Sequence, residues 1–137
     1  MWTIGREREK EHAARNVRAD QLAAIHAVID AAFDLHEGRI EADEARDTFI
    51  AAFVDGGAGV WEQTESWLRR LATRHPGLSD IWVELSRHKA WKVRWRVSCV
   101  LDSIPPAVAS EIGERLCVDR SKKVREYALD RLSRMGD

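Results

Sequence analysis

The stretch from Arg87 to Arg96 is the part of the sequence best suited to binding chemistry. Its ten residues include five lysines or arginines and two tryptophans, and no carboxylate. Cationic side chains neutralise phosphates or carboxylates, and indole rings stack on flat surfaces. If Val93 points inward on a helix turning about 100° per residue, Trp91 and Trp95 share the opposite face. They predict either a contact surface or a seam against the preceding helical unit.

A second candidate surface is acidic. Residues 20–65 hold eleven carboxylates and two arginines, a net charge of −9. Several of these carboxylates surround one turn, from Asp34 and Glu37 to Asp47. Such a cluster is either an ordinary solvated surface or a patch that attracts a basic partner by electrostatic steering. The side chains predicted to bind a protein are Trp91, Trp95, Lys92, Arg96, Glu41, Asp43, Glu44 and Asp47.

Nucleic-acid binding is the alternative that the charge distribution leaves open. Residues 87–137 hold twelve lysines or arginines and seven carboxylates, a net charge of +5. Basic side chains interleaved with tryptophan can hold phosphates while the rings stack on bases. The residues predicted for this role are Lys89, Lys92, Arg94, Arg96, Lys122 and Lys123.

Sequence patterns of catalysis are missing. The chain has no glycine-rich phosphate loop, no histidine pair at metal-ligand spacing, and no serine or cysteine in the context of an activated nucleophile. We therefore expect no enzymatic activity, no cofactor and no metal ion. Cys99 and Cys117 are too few for a disulfide scaffold and predict two buried free thiols in a reducing compartment.

Helical periodicity predicts an all-α fold. Residues 1–19 are expected to form a charged arm or helix, and residues 20–137 a single domain. Helices are predicted near residues 20–37, 42–54, 59–74, 79–86, 90–103, 106–118 and 121–135. No apolar stretch approaches the roughly 20 residues that span a bilayer. Because the first residues also lack the order of a secretory signal, we expect a cytoplasmic protein that does not enter a membrane.

An internal repeat indicates how these helices are organised. The segment beginning at His88 realigns with the segment beginning at Asp119 at an offset of 31 residues, so that Val93-Arg94 matches Val124-Arg125. A fainter copy at an offset of 33 places Val60, Thr64, Trp67 and Leu68 on Val93, Val97, Val100 and Leu101. Each copy would be one helical unit that needs a neighbour to cover its apolar faces.

At Asp119, Val124 and Arg125 the sequence resembles HEAT repeats, which have an Asp in the turn and a Val-Arg pair five and six residues later. The upstream copy departs from that pattern because His88 stands where Asp is expected. The resemblance is clearest over residues 88–135. It implies antiparallel helical hairpins stacked as a short right-handed superhelix, with an Asp-Arg ladder between neighbouring repeats.

Two functions follow from the resemblance. The first is a non-enzymatic protein-binding module, such as an inhibitor or a bacterial toxin-neutralising immunity protein. The second is nucleic-acid binding, as in the HEAT-like DNA alkylation-repair glycosylases, which use a carboxylate together with tryptophans. Trp61 and Glu65 are the nearest pair of that kind here. The sequence determines neither the partner nor the oligomeric state.

Overall fold

The computed structural model describes residue 2 and residues 4–136, and that part of the chain is helical without any strand. The predicted all-α class is thereby confirmed. Eight α-helices occur there: α1 (Arg6–Ala14), α2 (Leu22–His36), α3 (Ala42–Asp55), α4 (Val60–Leu71), α5 (Asp80–Ser86), α6 (Trp91–Cys99), α7 (Pro106–Leu116) and α8 (Lys122–Met135). Short 3₁₀ turns at Ala19–Gln21, Pro76–Ser79 and Leu101–Ser103 join some of them.

The chain divides into two compact units. Unit 1 comprises residues 1–78 with α1 to α4, and unit 2 comprises residues 79–137 with α5 to α8. Residues 1–19 were expected to form a charged arm or a helix, and they contain the helix α1, which packs on α2. A single HEAT-like helical-repeat domain over residues 20–137 stays a prediction.

The core of unit 1 is built from apolar stripes on α2, α3 and α4. On α2, Ile25, Ile29 and Phe33 are buried, whereas Leu22 is half-buried at the first turn. The inward positions of the two following helices, at the spacing of an amphipathic helix, are buried: Ala45, Phe49, Ala52, Phe53, Val60, Thr64, Trp67, Leu68 and Leu71. Burying side chains of this size supplies most of the stabilisation available to a small helical unit.

Charge, rather than apolar area, attaches α1 to α2. Ala13 is the buried residue of α1. Arg6 forms ion pairs with Asp30 at 3.2 Å and Asp34 at 2.7 Å, and Lys10 reaches Asp30 at 2.9 Å. The hydrogen bond to Asp34, with the nearby carboxylates, raises the pKa of Arg6 despite its partial burial.

Gly59 starts α4 in a conformation that suits glycine. Its φ is +89°, and its N–H donates a hydrogen bond to Glu62 Oε1 at 2.8 Å. A Cβ at this position would lie 2.1 Å from the carbonyl oxygen of Asn16. The predicted start of this helix is therefore determined by backbone geometry and by close approach of the segment that follows α1.

In unit 2 the two copies of the sequence repeat have the same local structure. Helices α6 and α8 begin 31 residues apart, and Val93 and Val124 are buried at equivalent positions. In the first turn, His88 Nδ1 accepts a hydrogen bond from the Ala90 N–H at 3.0 Å. In the second, the equivalent bond runs from the Ser121 N–H to Asp119 Oδ1 at 2.8 Å. His88 thus provides the acceptor that Asp119 provides in the other copy.

The helix ends need several corrections. The helix predicted over 90–103 ends at Cys99 and is followed by a 3₁₀ turn at Leu101–Ser103, after which Ile104 is extended, as the residue before a proline usually is. Asp20 lies in the 3₁₀ turn before α2, and the Ser79 side chain makes no capping hydrogen bond to α5. Cys99 and Cys117 are thiols, but they are half-buried rather than buried.

Candidate functional site

The acidic segment separates into a neutralised part and an exposed part. Asp34 and Glu37, together with Asp30, face Arg6, whose guanidinium lies 2.7 Å from Asp34 and 3.5 Å from Glu37. These carboxylates of the α2 region therefore stabilise the α1–α2 contact. Sequence reasoning missed this pairing because Arg6 lies about 24 to 31 positions away along the chain.

The exposed part lies on α3. Glu41, Asp43, Glu44 and Asp47 are all exposed. Asp43 and Glu44 occupy the first turn of α3, where negative charge interacts favourably with the helix dipole. Helix stability accounts for those two positions, but it does not account for Asp47, which lies beyond the first turn.

Asp47 lines a groove between α2 and α3. The groove has a volume of about 520 Å³. It is lined by Ala24 and Ala27 of α2 and by Ala51 of α3. Asp55 lines it as well. Small side chains leave room for apolar groups of a ligand, while the two carboxylates favour a cation nearby. The sequence signal that could have found this groove is the set of alanines at helical spacing on both helices.

The tryptophans of α6 have different environments. Trp91 is 45% exposed, which is unusual for so large an apolar side chain. Trp95 is half-buried, and its ring meets the Tyr127 ring of α8 edge-on at 5.5 Å. Trp95 thus packs in the seam between α6 and the following copy, whereas Trp91 remains available to a ligand.

The basic candidates also divide by burial. Lys89 and Lys92 are exposed, and so are Lys122 and Lys123. Arg96 is half-buried. Arg94 is buried, and its guanidinium donates hydrogen bonds to Asp119 and to the carbonyl oxygen of His88 at 2.8 Å. Arg94 consequently supports the structure of unit 2 instead of offering a free cation.

Asp119 is held in its charged form by these contacts. Burial alone would raise the pKa of its carboxyl group, but hydrogen bonds from Arg94 and from the Ser121 N–H, with the positive charge of Arg94, lower it below 3.8. The carboxylate therefore remains the partner of Arg94 at neutral pH.

A shallow hollow lies beside this ion pair in unit 2. It has a volume of about 440 Å³ and is lined by Trp91, Arg94, Arg120, Ser121, Lys122 and Lys123. It brings two residues of the basic stretch, Trp91 and Arg94, together with the predicted cations Lys122 and Lys123. Arg120 was not predicted, although it adjoins Asp119 in the repeat and could have been recognised from that position.

Glu65, the carboxylate proposed for glycosylase-like chemistry, is an interior residue. It is 6% exposed and forms an ion pair with Arg69 at 3.4 Å. Trp61 is half-buried and packs edge-on against Phe53 at 5.8 Å. Neither residue lines the α2–α3 groove or the unit 2 hollow.

Trp2 belongs to an aromatic cluster in unit 1 that the sequence did not indicate. Its ring stacks on His36 with centroids 4.0 Å apart and meets Phe33 and Trp67 edge-on. The Arg70 guanidinium lies over Trp67 at 4.0 Å. Trp67 and Trp82 are buried, whereas Trp61 is half-buried.

Among residue 2 and residues 4–136, no group of three or more histidines, cysteines or carboxylates is placed to hold a metal ion. None of the helices described has the length and apolar character required to cross a bilayer. Comparison of the chain with protein-family models, curated proteins and solved structures finds no match.

Proposed function

We propose that this chain is a non-enzymatic protein-binding module whose α2–α3 groove receives a basic amphipathic helix of another protein. The observation that carries the proposal is the combination of an alanine-lined groove with exposed Asp47 and Asp55 in its lining. An apolar helix face fits a groove of this kind, and basic residues beside that face would approach the two carboxylates.

Electrostatic attraction from the rest of α3 would speed the encounter. Glu41, which precedes α3, and Asp43 and Glu44 in its first turn are exposed, and ion pairs within the described residues do not engage them. A patch of one sign raises the association rate of an oppositely charged protein, and added salt reduces that effect. An inhibitor, or an immunity protein that covers a basic site of a toxin in the cytoplasm, is one form of this proposal.

A HEAT-like arrangement of the helices is part of the same proposal. Its support is the shared turn structure of the two copies and the ion pair between Arg94 of one copy and Asp119 of the next. A stack of such units would present long surfaces suited to macromolecules.

The test is affinity capture from an extract of the source organism with three variants compared against the wild type. Glu44→Lys combined with Asp47→Lys reverses one charge in the groove lining and one exposed charge nearby on α3, and Ala51→Gln fills the groove without a charge. Glu111→Lys combined with Glu114→Lys makes the same charge change at exposed positions of α7. All variants should retain wild-type helical circular dichroism.

We expect one basic protein to be retained by the wild type and the α7 variant and lost from both groove variants. With that protein purified, its association rate should fall as salt rises. Retention by the Glu44→Lys/Asp47→Lys variant would show that the groove is not the binding surface.

A further inference from the structure

The unit 2 hollow has the composition of a nucleotide-binding surface. Six residues line it, four of them lysine or arginine, and no carboxylate is among them. Trp91 supplies an exposed indole at its side. Because Trp91 and Lys122 are the first residues of α6 and α8, the repeat itself places these groups at the same end of unit 2.

Three of the four cations are exposed, and the Lys123 ammonium also lies over the Trp95 ring, 5.9 Å from its centroid. Arg94 is engaged by Asp119 through two hydrogen bonds, at 2.8 and 3.2 Å. Arg120, Lys122 and Lys123 are exposed. Lys122 lies 3.7 Å from Glu126, but both side chains are more than half exposed, and solvent-exposed pairs of this kind are weak.

The position of these lysines is unfavourable for the helix that carries them. The first turn of α8 contains Lys122 and Lys123 and no acidic residue. Positive charge near a helix N-terminus is disfavoured by the helix dipole. A local arrangement that opposes helix stability is expected where the side chains serve binding.

Asp119 does not repel an anion from the hollow. Its Oδ2 accepts a hydrogen bond from Arg94, and its Oδ1 accepts from the Ser121 N–H and from Arg94. Its negative charge is therefore balanced by the buried Arg94 guanidinium, and the charges facing solvent at this hollow are those of Arg120, Lys122 and Lys123.

From these observations we propose that the hollow binds single-stranded nucleic acid, with a base stacked on Trp91 and its phosphates against Arg120, Lys122 and Lys123. A single strand is favoured over a duplex because the ring faces of unpaired bases are accessible to an indole. A hollow of about 440 Å³ is of the size that accommodates a small ligand, here one nucleotide unit of the strand.

The experiment measures binding of a fluorescein-labelled 12-mer of deoxythymidine to the full chain by anisotropy. For three phosphate contacts, the logarithm of Kd should rise with the logarithm of salt concentration with a slope of about 2. Trp91→Ala should weaken binding by about 5- to 150-fold, and Trp91→Phe should retain most of the affinity because it preserves a stacking ring.

Charge variants test the cations. Lys122→Gln combined with Lys123→Gln should reduce the salt slope by about 1.4. Arg8→Gln combined with Arg15→Gln removes two exposed cations from unit 1 and should change neither the affinity nor the slope by a measurable amount. Circular dichroism of each variant confirms that it is folded.

Three results would overturn the proposal. The first is absence of binding at about 50 mM salt, where phosphate contacts are strong. The second is wild-type affinity in the folded Trp91→Ala variant, which would indicate attraction by charge alone. The third is tighter binding of a blunt duplex or of heparin than of the single strand.

Discussion

The guanidinium of Arg94 and the carboxylate of Asp119 form a two-point ion pair between the two copies of the repeat, with Nε 2.8 Å from Oδ2 and Nη2 3.2 Å from Oδ1. The two side chains are 7% and 9% exposed. Removing one member of a buried pair leaves the other charge without compensation. We expect Arg94→Ala to lower the free energy of unfolding by about 3–5 kcal/mol, measured by urea denaturation.

Arg87→Ala is the matched control for that substitution. Arg87 is exposed and lies in the same segment of unit 2. Its removal should change the free energy of unfolding by no more than about 0.5 kcal/mol. Equal effects of the two substitutions would mean that the Arg94–Asp119 pair has no special role in stability.

The same pair predicts a dependence of stability on pH. The pKa of Asp119 is lowered below 3.8 in the folded protein, so the unfolded chain binds this proton more readily. Its contribution to stability is therefore complete above pH 3.8 and is lost as the pH falls through the lower folded value. Asp119→Asn keeps an acceptor for Ser121 but has no charge to titrate. Urea denaturation between pH 6 and pH 2.5 should show a smaller acid loss in the variant; parallel curves would contradict the assignment.

Gly59 predicts a strong effect of adding one methyl group. Gly59→Ala would place a Cβ 2.1 Å from the carbonyl oxygen of Asn16 on a backbone with φ of +89°. We expect a loss of about 2–4 kcal/mol in the free energy of unfolding, combining the unfavourable φ with the clash. Gly38→Ala, with φ of +77° and open space around it, should lose about 1–2 kcal/mol. Gly77→Ala, which meets nothing within 4 Å, should be near neutral, and thermal denaturation can rank the three.

The aromatic cluster predicts a titration that NMR can follow. Burial lowers the pKa of His36 below its usual 6.5, and the nearby positive charge of Arg74 lowers it further. Because Trp2 stacks on the imidazole at 4.0 Å, Trp2→Ala should expose the ring and raise the pKa of His36 toward 6.5. The folded protein binds this proton less readily than the unfolded chain, so the contribution of His36 to stability is present above pH 6.5 and falls below it. An unchanged His36 titration in the Trp2→Ala variant would contradict the stacked arrangement.

Prediction from the sequence worked where a pattern was local and periodic. The buried positions of α2, α3 and α4 follow a 3.6-residue period, and their burial could be read from it. The alignment of Val93-Arg94 with Val124-Arg125 found two segments that share the same turn. Both results depend on relations within one helix or within one turn, between residues only a few positions apart, and helix geometry sets those relations.

The sequence could identify candidate site residues in this way, but it could not tell which of them are exposed to a ligand and which are covered by another helix. Trp91 and Trp95 share a face of α6, yet the Tyr127 ring on another helix covers one of them. Lys122 and Lys123 could be proposed as cations, but their position around one hollow with Trp91 and Arg120 requires α6 and α8 to be packed together. The alanines that line the groove are recognisable as part of a binding site only once α2 and α3 are packed together.

The sequence by itself determined an all-helical chain, the inward face of most helices and the copy of one helical unit at a distance of 31 residues, because backbone hydrogen bonding and side-chain periodicity are local properties. Only the tertiary structure decided that Arg6 forms ion pairs with carboxylates of α2 and that Arg94 is buried in an ion pair with Asp119. It also decided that Asp47 and Trp91 remain exposed to a ligand. Those outcomes depend on which charged groups are brought within a few ångströms of each other, and proximity between distant residues is a property of packing.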